Sequence, residues 1–148
     1  MKKALPIGVE NFKDIRNTGY YYTDKTLFIK ELIDLKGKVN LFTRPRRFGK
    51  TLTLSMLRYF FEYTGDAAQA AQHKELFTGM KITEEGEAYT GQMGLYPVMN
   101  LTLKSAKQEN FDIASYMLQS QIASEFDRHW HIIEQGKERL AAKEYEQY

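Results

Sequence analysis

The order of apolar segments predicts an α/β fold built on a parallel sheet. Along the chain it runs helix, strand, loop, helix, then helix, strand, helix, the alternation that lays helices over parallel strands. The 148 residues favour one domain. An apolar fraction of 43% and an aromatic fraction of 14% belong to a chain with a core, not a disordered tail. With two credible strands, the expected sheet is thin.

Residues 1–24 are rich in turn formers, with Pro6, Gly8, Asn17 and Gly19 spaced through them. Asp24 then stands as N-cap of a helix over 25–36, in which Phe28, Ile29, Leu32, Ile33 and Leu35 form the apolar stripe and Gly37 follows the end. Residues 38–43 (KVNLFT) read as a short strand covered on both faces, because Leu41 and Phe42 are adjacent. Pro45 and Gly49 break regular structure over 44–50. A helix follows from Thr51. Leu52, Met56, Tyr59, Phe60 and Tyr63 make its stripe, Leu54, Leu57 and Phe61 widen it, and Gly65 ends it. So apolar a helix is expected to lie between layers.

A shorter helix is expected over 66–77, and 78–95 is punctuated by glycine and irregular. Residues 96–103 (YPVMNLTL) form the second predicted strand, with Pro97 near its start, where a missing N–H is tolerated. Asn110 caps a long helix whose Phe111, Ala114, Leu118, Ile122, Phe126, Trp130 and Ile133 recur at steps of three and four, interrupted by Gly136. Residues 137–148 are good helix formers.

The formal charge of +2 is too balanced to signal nucleic-acid or membrane binding in bulk. The absence of Cys rules out a disulfide scaffold, a thiolate zinc site and a catalytic cysteine in these residues. Lys2 and Lys3 are not followed by an apolar h-region, and no apolar run approaches the roughly 18 residues of a membrane span. A soluble, cytoplasmic protein is the expectation. Ten Tyr and nine Phe are many for this length, and together with the broad apolar surface of the 51–63 helix they suggest a homo-oligomer.

The most informative stretch is 43–51. A strand that reaches Gly49-Lys50-Thr51 and turns into a helix is the setting of a phosphate-binding loop. Loop amides and the helix N-terminus present N–H groups and partial positive charge to an anion, the lysine reaches the β- and γ-phosphates, and the threonine hydroxyl ligates Mg²⁺. In the G-x-x-x-x-G-K-[ST] pattern the first glycine is replaced by Arg44, making this a Walker A variant. The expected fold is therefore an incomplete P-loop NTPase-like three-layer core. Two other readings fit the same cations, Arg44, Arg46, Arg47 and Lys50. They form a solvated basic turn, or they form a patch that binds nucleic acid or a protein partner.

Other polar groups carry weaker signals. His129 and His131 lie two apart, so on a helix they point to different faces and do not meet one metal easily; a surface or partly packed pair is expected. His73 is expected to be exposed. Tyr20-Tyr21-Tyr22 either covers a small core or stacks a base. No serine–histidine–aspartate set or paired carboxylates are legible.

The stretches LPIGVENFKDIRNTGYYYTDKTLFIKELI, KVNLFTRPRRFGKTLTLSMLRYFFE, LFTGMKI and YPVMNLTLK resemble the N-terminal part of the bacterial AAA-ATPase-like family. The resemblance runs from about Leu5 to Phe126, and TRPRRFGKTL at 43–52 is its most specific piece. It implies that Arg44 is shared with the family, and that Gly49, Lys50 and Thr51 carry phosphate and Mg²⁺ binding, with Thr51 on the metal. The expected nucleotide-binding stretch also takes in Arg46, Arg47, Phe48 and Leu52, with Arg46 and Arg47 contacting phosphates or a partner. The family's Tyr-x-Asp-Lys-Thr signature falls on Tyr22, Asp24, Lys25 and Thr26, ahead of the P-loop strand, where it could line the nucleotide pocket.

Family members carry a later strand ending in an Asp-Glu pair and commonly a restriction-endonuclease-like domain. Here the 96–103 strand holds Asn100 and ends in Lys104. The expectation is the N-terminal portion, 1–148, of one ATPase-like domain whose Walker B region and nuclease-like domain lie outside it. It would bind ATP with Mg²⁺, and would hydrolyse ATP only in a longer form.

Overall fold

The structure is a computed structural model that describes residues 3–43, 45, 48–104, 107 and 109–145, with the helical backbone alone over 138–145. It separates into two compact units, 1–96 and 97–148.

The first unit is helical. Helix α1 (Phe12–Thr18) arises inside the turn-rich N-terminal stretch, where Asn11 accepts a hydrogen bond from the Lys13 amide and Gly19 closes the helix in the left-handed region. The Phe12 amide donates to Ser55 Oγ at 3.0 Å, tying α1 to α3 (Lys50–Phe61). Helix α2 (Leu27–Leu35) closes on Lys36, which takes φ 47°, a conformation expected of the neighbouring Gly37. Helix α4 (Ala67–Glu75) is capped by Asp66, which accepts from the Gln69 amide at 2.7 Å. A 3₁₀ turn (Lys81–Glu84) and the short α5 (Glu87–Thr90) occupy the stretch expected to be irregular.

The core gathers Phe12, Ile29, Met56, Phe60, Leu76, Phe77, Met80 and Ile82. Phe77 is its centre, with ring centroids 5.1 Å from Phe12 and 5.2 Å from Phe60. Burying large side chains of this kind stabilises by about 1.5–3 kcal/mol each. The α3 stripe is correct on one side only. Met56 and Phe60 are buried and Leu52, Leu57, Tyr59 and Phe61 pack beside them, whereas Leu54 is 51% exposed. The helix therefore rests on one core instead of lying between layers.

The predicted α/β class, with its P-loop NTPase-like three-layer core and parallel sheet, is overturned: the described residues contain helices and no strand. Residues 38–43 are extended or bent without a ladder, with Val39 89% and Leu41 86% exposed. A strand exists only through a partner that takes its amides and carbonyls, and apolar composition does not supply one. In 96–103 a single parallel bridge joins Tyr96 to Glu62, just after α3. The Tyr63 amide donates to the Tyr96 carbonyl at 2.7 Å, and the Tyr96 amide to the Phe61 carbonyl at 2.9 Å.

In the second unit, helix side chains take the place of a neighbouring strand. The Asn100 amide donates to Glu125 at 3.0 Å, the Thr102 amide to Gln121 at 3.1 Å, and Arg128 donates to the Val98 carbonyl at 2.7 Å. Alternate residues 98, 100 and 102 thus meet one face of α6 (Phe111–Arg128), at the spacing 121, 125, 128. Asn110 caps α6 as expected, accepting from the Asp112 amide at 2.7 Å.

The predicted helix break at Gly136 lies instead at His129, between α6 and α7 (Trp130–Tyr145). The His129 ring is buried and its Nδ1 lies 2.8 Å from the Glu125 carbonyl oxygen, so the side chain competes for α6's terminal backbone acceptor. No helix among the described residues is long and apolar enough to cross a membrane.

Candidate functional site

The turn that leads into α2 is built on Asp24. Its Oδ1 accepts the Thr26 amide at 2.8 Å and the Thr26 hydroxyl at 2.6 Å, and its Oδ2 accepts the Lys81 amide at 2.9 Å. The fully buried Thr26 hydroxyl in turn accepts the Ile82 amide at 3.2 Å. Burial alone would raise the Asp24 carboxyl, but the hydrogen bonds from Thr26 and Lys81 outweigh it and hold its pKa below the usual carboxylate value. Helix α2 consequently has Thr26, not Asp24, at its N-cap. Tyr22 closes the turn from the core side, its hydroxyl 3.4 Å from Met56 Sδ. Burial pushes its phenol up to about 12. Tyr22 therefore covers the core, while Tyr21 is 54% exposed.

Lys25, held between two anchored neighbours, carries its ammonium to the start of α3. A methyl group placed on Gly49 would sit 3.7 Å from Lys25 Nζ. Gly49 is the N-cap of α3 and takes φ 75°, ψ 25°, a left-handed conformation natural to glycine and strained for other residues. It makes no side-chain cap, and the first turn of α3 holds no acid. The helix dipole is positive at that end.

Lys50, Thr53 and Leu54 share one face of α3 and, with Lys25, Leu27, Phe28 and Glu31 from the α2 region and Phe42, line a cleft of about 370 Å³. The Phe28 and Phe42 rings meet edge to face at 4.6 Å. The cleft has cations at the helix opening and an aromatic wall, and its volume lies in the range of small-molecule pockets, about 300–1,000 Å³.

Gly49 and Lys50, of the predicted site residues, stand at this opening. Thr51 is exposed and is not in the cleft wall, which instead carries Thr53. Phe48 is 59% exposed, and Leu52 turns its side chain toward the core. Arg44, Arg46 and Arg47 lie outside the described residues. Leu27, Phe28 and Glu31 belong to the predicted amphipathic helix, whose apolar residues cover more than one core-facing side. His73 is half-buried, not exposed, its ring 4.8 Å from that of Tyr59. His129 and His131 stack at 6.4 Å, and no three His, Asp or Glu side chains among the described residues gather to hold a metal.

A protein described as "Uncharacterized protein in vnfD 5'region" of Azotobacter chroococcum mcd 1 is 40% identical to this chain over 82 residues, which are 55% of this chain and 14% of that protein. This chain thus spans much less than two thirds of that relative's length. No solved structure matches this chain. The model of the AAA-ATPase-like family, described as a predicted AAA-ATPase, matches residues 6–147, and the chain belongs to that family.

Proposed function

We propose that the opening of α3 binds the phosphates of ATP with Mg²⁺. The observation that carries the reading is the left-handed Gly49, which starts an uncapped helix directly before Lys50, at one end of a cleft with aromatic walls. Family membership supports nucleotide use at the coarse level.

The chemistry follows from charge and geometry. Amides of Lys50, Thr51 and Leu52 point out of the first helical turn and donate to phosphate oxygens; the Lys50 ammonium neutralises them. Arg46 and Arg47 would add phosphate contacts and, by the family resemblance, the exposed Thr51 hydroxyl would hold the metal. When bound, Mg²⁺ would supply charge neutralisation to the phosphates. The aromatic pair Phe28 and Phe42 offers a surface for the base.

Calorimetric titration of the full chain with Mg-ATP tests this. Lys50→Ala should lower affinity about ten- to hundredfold, as removal of a hydrogen bond to a charged group does. Unchanged affinity in Lys50→Ala refutes the proposal. So does a parent chain that ignores ATP but binds a short duplex with steep salt dependence, which would make 44–50 a nucleic-acid patch.

A further inference from the structure

We propose that Lys25 is a second phosphate-binding cation, closing on the same anion as Lys50 from the opposite wall of the cleft. The inference rests on the nucleotide reading above and assigns a task to one residue of the Tyr22–Thr26 turn. Three features of this turn serve the fold: Tyr22 covers the core, Asp24 ties α2 to the 3₁₀ turn, and buried Thr26 links Asp24 to Ile82. Lys25 has no such part. Its side chain is exposed and forms no ion pair among the described residues.

Its position is nonetheless well defined. The flanking residues Asp24 and Thr26 are locked to each other, so the Lys25 backbone is held at a fixed place beside Gly49. From there the ammonium comes within van der Waals distance of a methyl group built on Gly49. Lys25 and Lys50 both line the same cleft, and the first turn of α3 carries no acid to offset them. Glu31, on the α2 wall, is the acid that faces this space among the described residues.

Two cations that line one cleft beside a helix N-terminus suit a ligand with several anionic groups, as a polyphosphate has. Lysine suits the task because its ammonium donates in three directions from a flexible stem. The ligand is thus a di- or triphosphate whose terminal groups lie between the two ammonium groups. Its organic part lies toward Phe28 and Phe42.

The test uses the full chain, titrated with Mg-ATP and separately with magnesium tripolyphosphate, in the parent and in Lys25→Ala, Lys25→Arg and Lys50→Ala. Lys25→Ala should weaken both ligands about tenfold or more, with its thermal midpoint unchanged, and Lys25→Arg should restore most of the loss. If Lys50→Ala weakens binding and Lys25→Ala does not, the role of Lys25 is refuted and the nucleotide reading stands. A Lys25→Ala loss that comes with a lower thermal midpoint and is not restored by arginine also refutes it, assigning Lys25 to the fold. A parent chain that binds neither ligand refutes both proposals.

Discussion

Replacing Asp24 by asparagine keeps the shape of the side chain and changes one atom's hydrogen-bonding sense. In the native turn Oδ1 accepts from the Thr26 amide and hydroxyl, and Oδ2 accepts from the Lys81 amide at 2.9 Å. An asparagine that keeps the two Thr26 bonds must point its NH₂ group at the Lys81 N–H, donor against donor. Flipping the amide saves the Lys81 bond but faces two Thr26 donors instead. The loss is therefore at least one charge-assisted hydrogen bond, about 1.5–3 kcal/mol. With a urea slope of about 1–3 kcal/mol per molar, the unfolding midpoint should fall by about 1 M.

The acid response gives an independent readout. Because the folded carboxyl titrates below its usual value, the stability it contributes is complete above the ordinary carboxylate range and is lost as pH falls through the lowered folded value. The parent should weaken on acidification below about pH 4, and Asp24→Asn should lack that part of the slope. Far-UV circular dichroism suits the measurement, since the 1–96 unit is helical. Amide exchange at Lys81 adds local resolution. An Asp24→Asn chain with the parent's midpoint at neutral pH and the parent's acid slope would refute the structural role of this turn.

Two further outcomes are expected. Burial, followed by the nearby charges of Lys13 and Arg58, lowers the His73 pKa, so its ring protons should titrate by NMR with a midpoint below about 6.5. The stability linked to its neutral form is present above that value and lost as pH falls through the folded midpoint, and a His73→Phe chain should lose this dependence. Steady-state ATP hydrolysis by this chain should stay at background, because the acid in the cleft wall among the described residues is Glu31 on α2, with no strand-end acid beside the loop. Turnover that disappears in Lys50→Ala would refute that expectation.

What was legible in the sequence is what depends on neighbours in the chain. Asn110 caps α6 because its side-chain oxygen reaches an amide two residues on, and that reach needs no tertiary partner. The steps of four at Leu52, Met56 and Phe60 mark the core face of α3 for the same reason, and Gly49 opens that helix because its φ suits glycine.

The tertiary structure decided everything that needs a distant partner. Residues 38–43 and 96–103 have strand composition, yet a strand is made by the groups that accept its hydrogen bonds. In the second case the partners are side chains of α6: Glu125 and Gln121 accept from the Asn100 and Thr102 amides, and Arg128 donates to the Val98 carbonyl. Asp24 had the composition of a helix cap, but its second oxygen is claimed by Lys81, 57 residues away, and Thr26 is the N-cap. The placing of Lys25 beside Gly49 depends on that same tie, because anchoring Asp24 and Thr26 holds the backbone of the lysine between them.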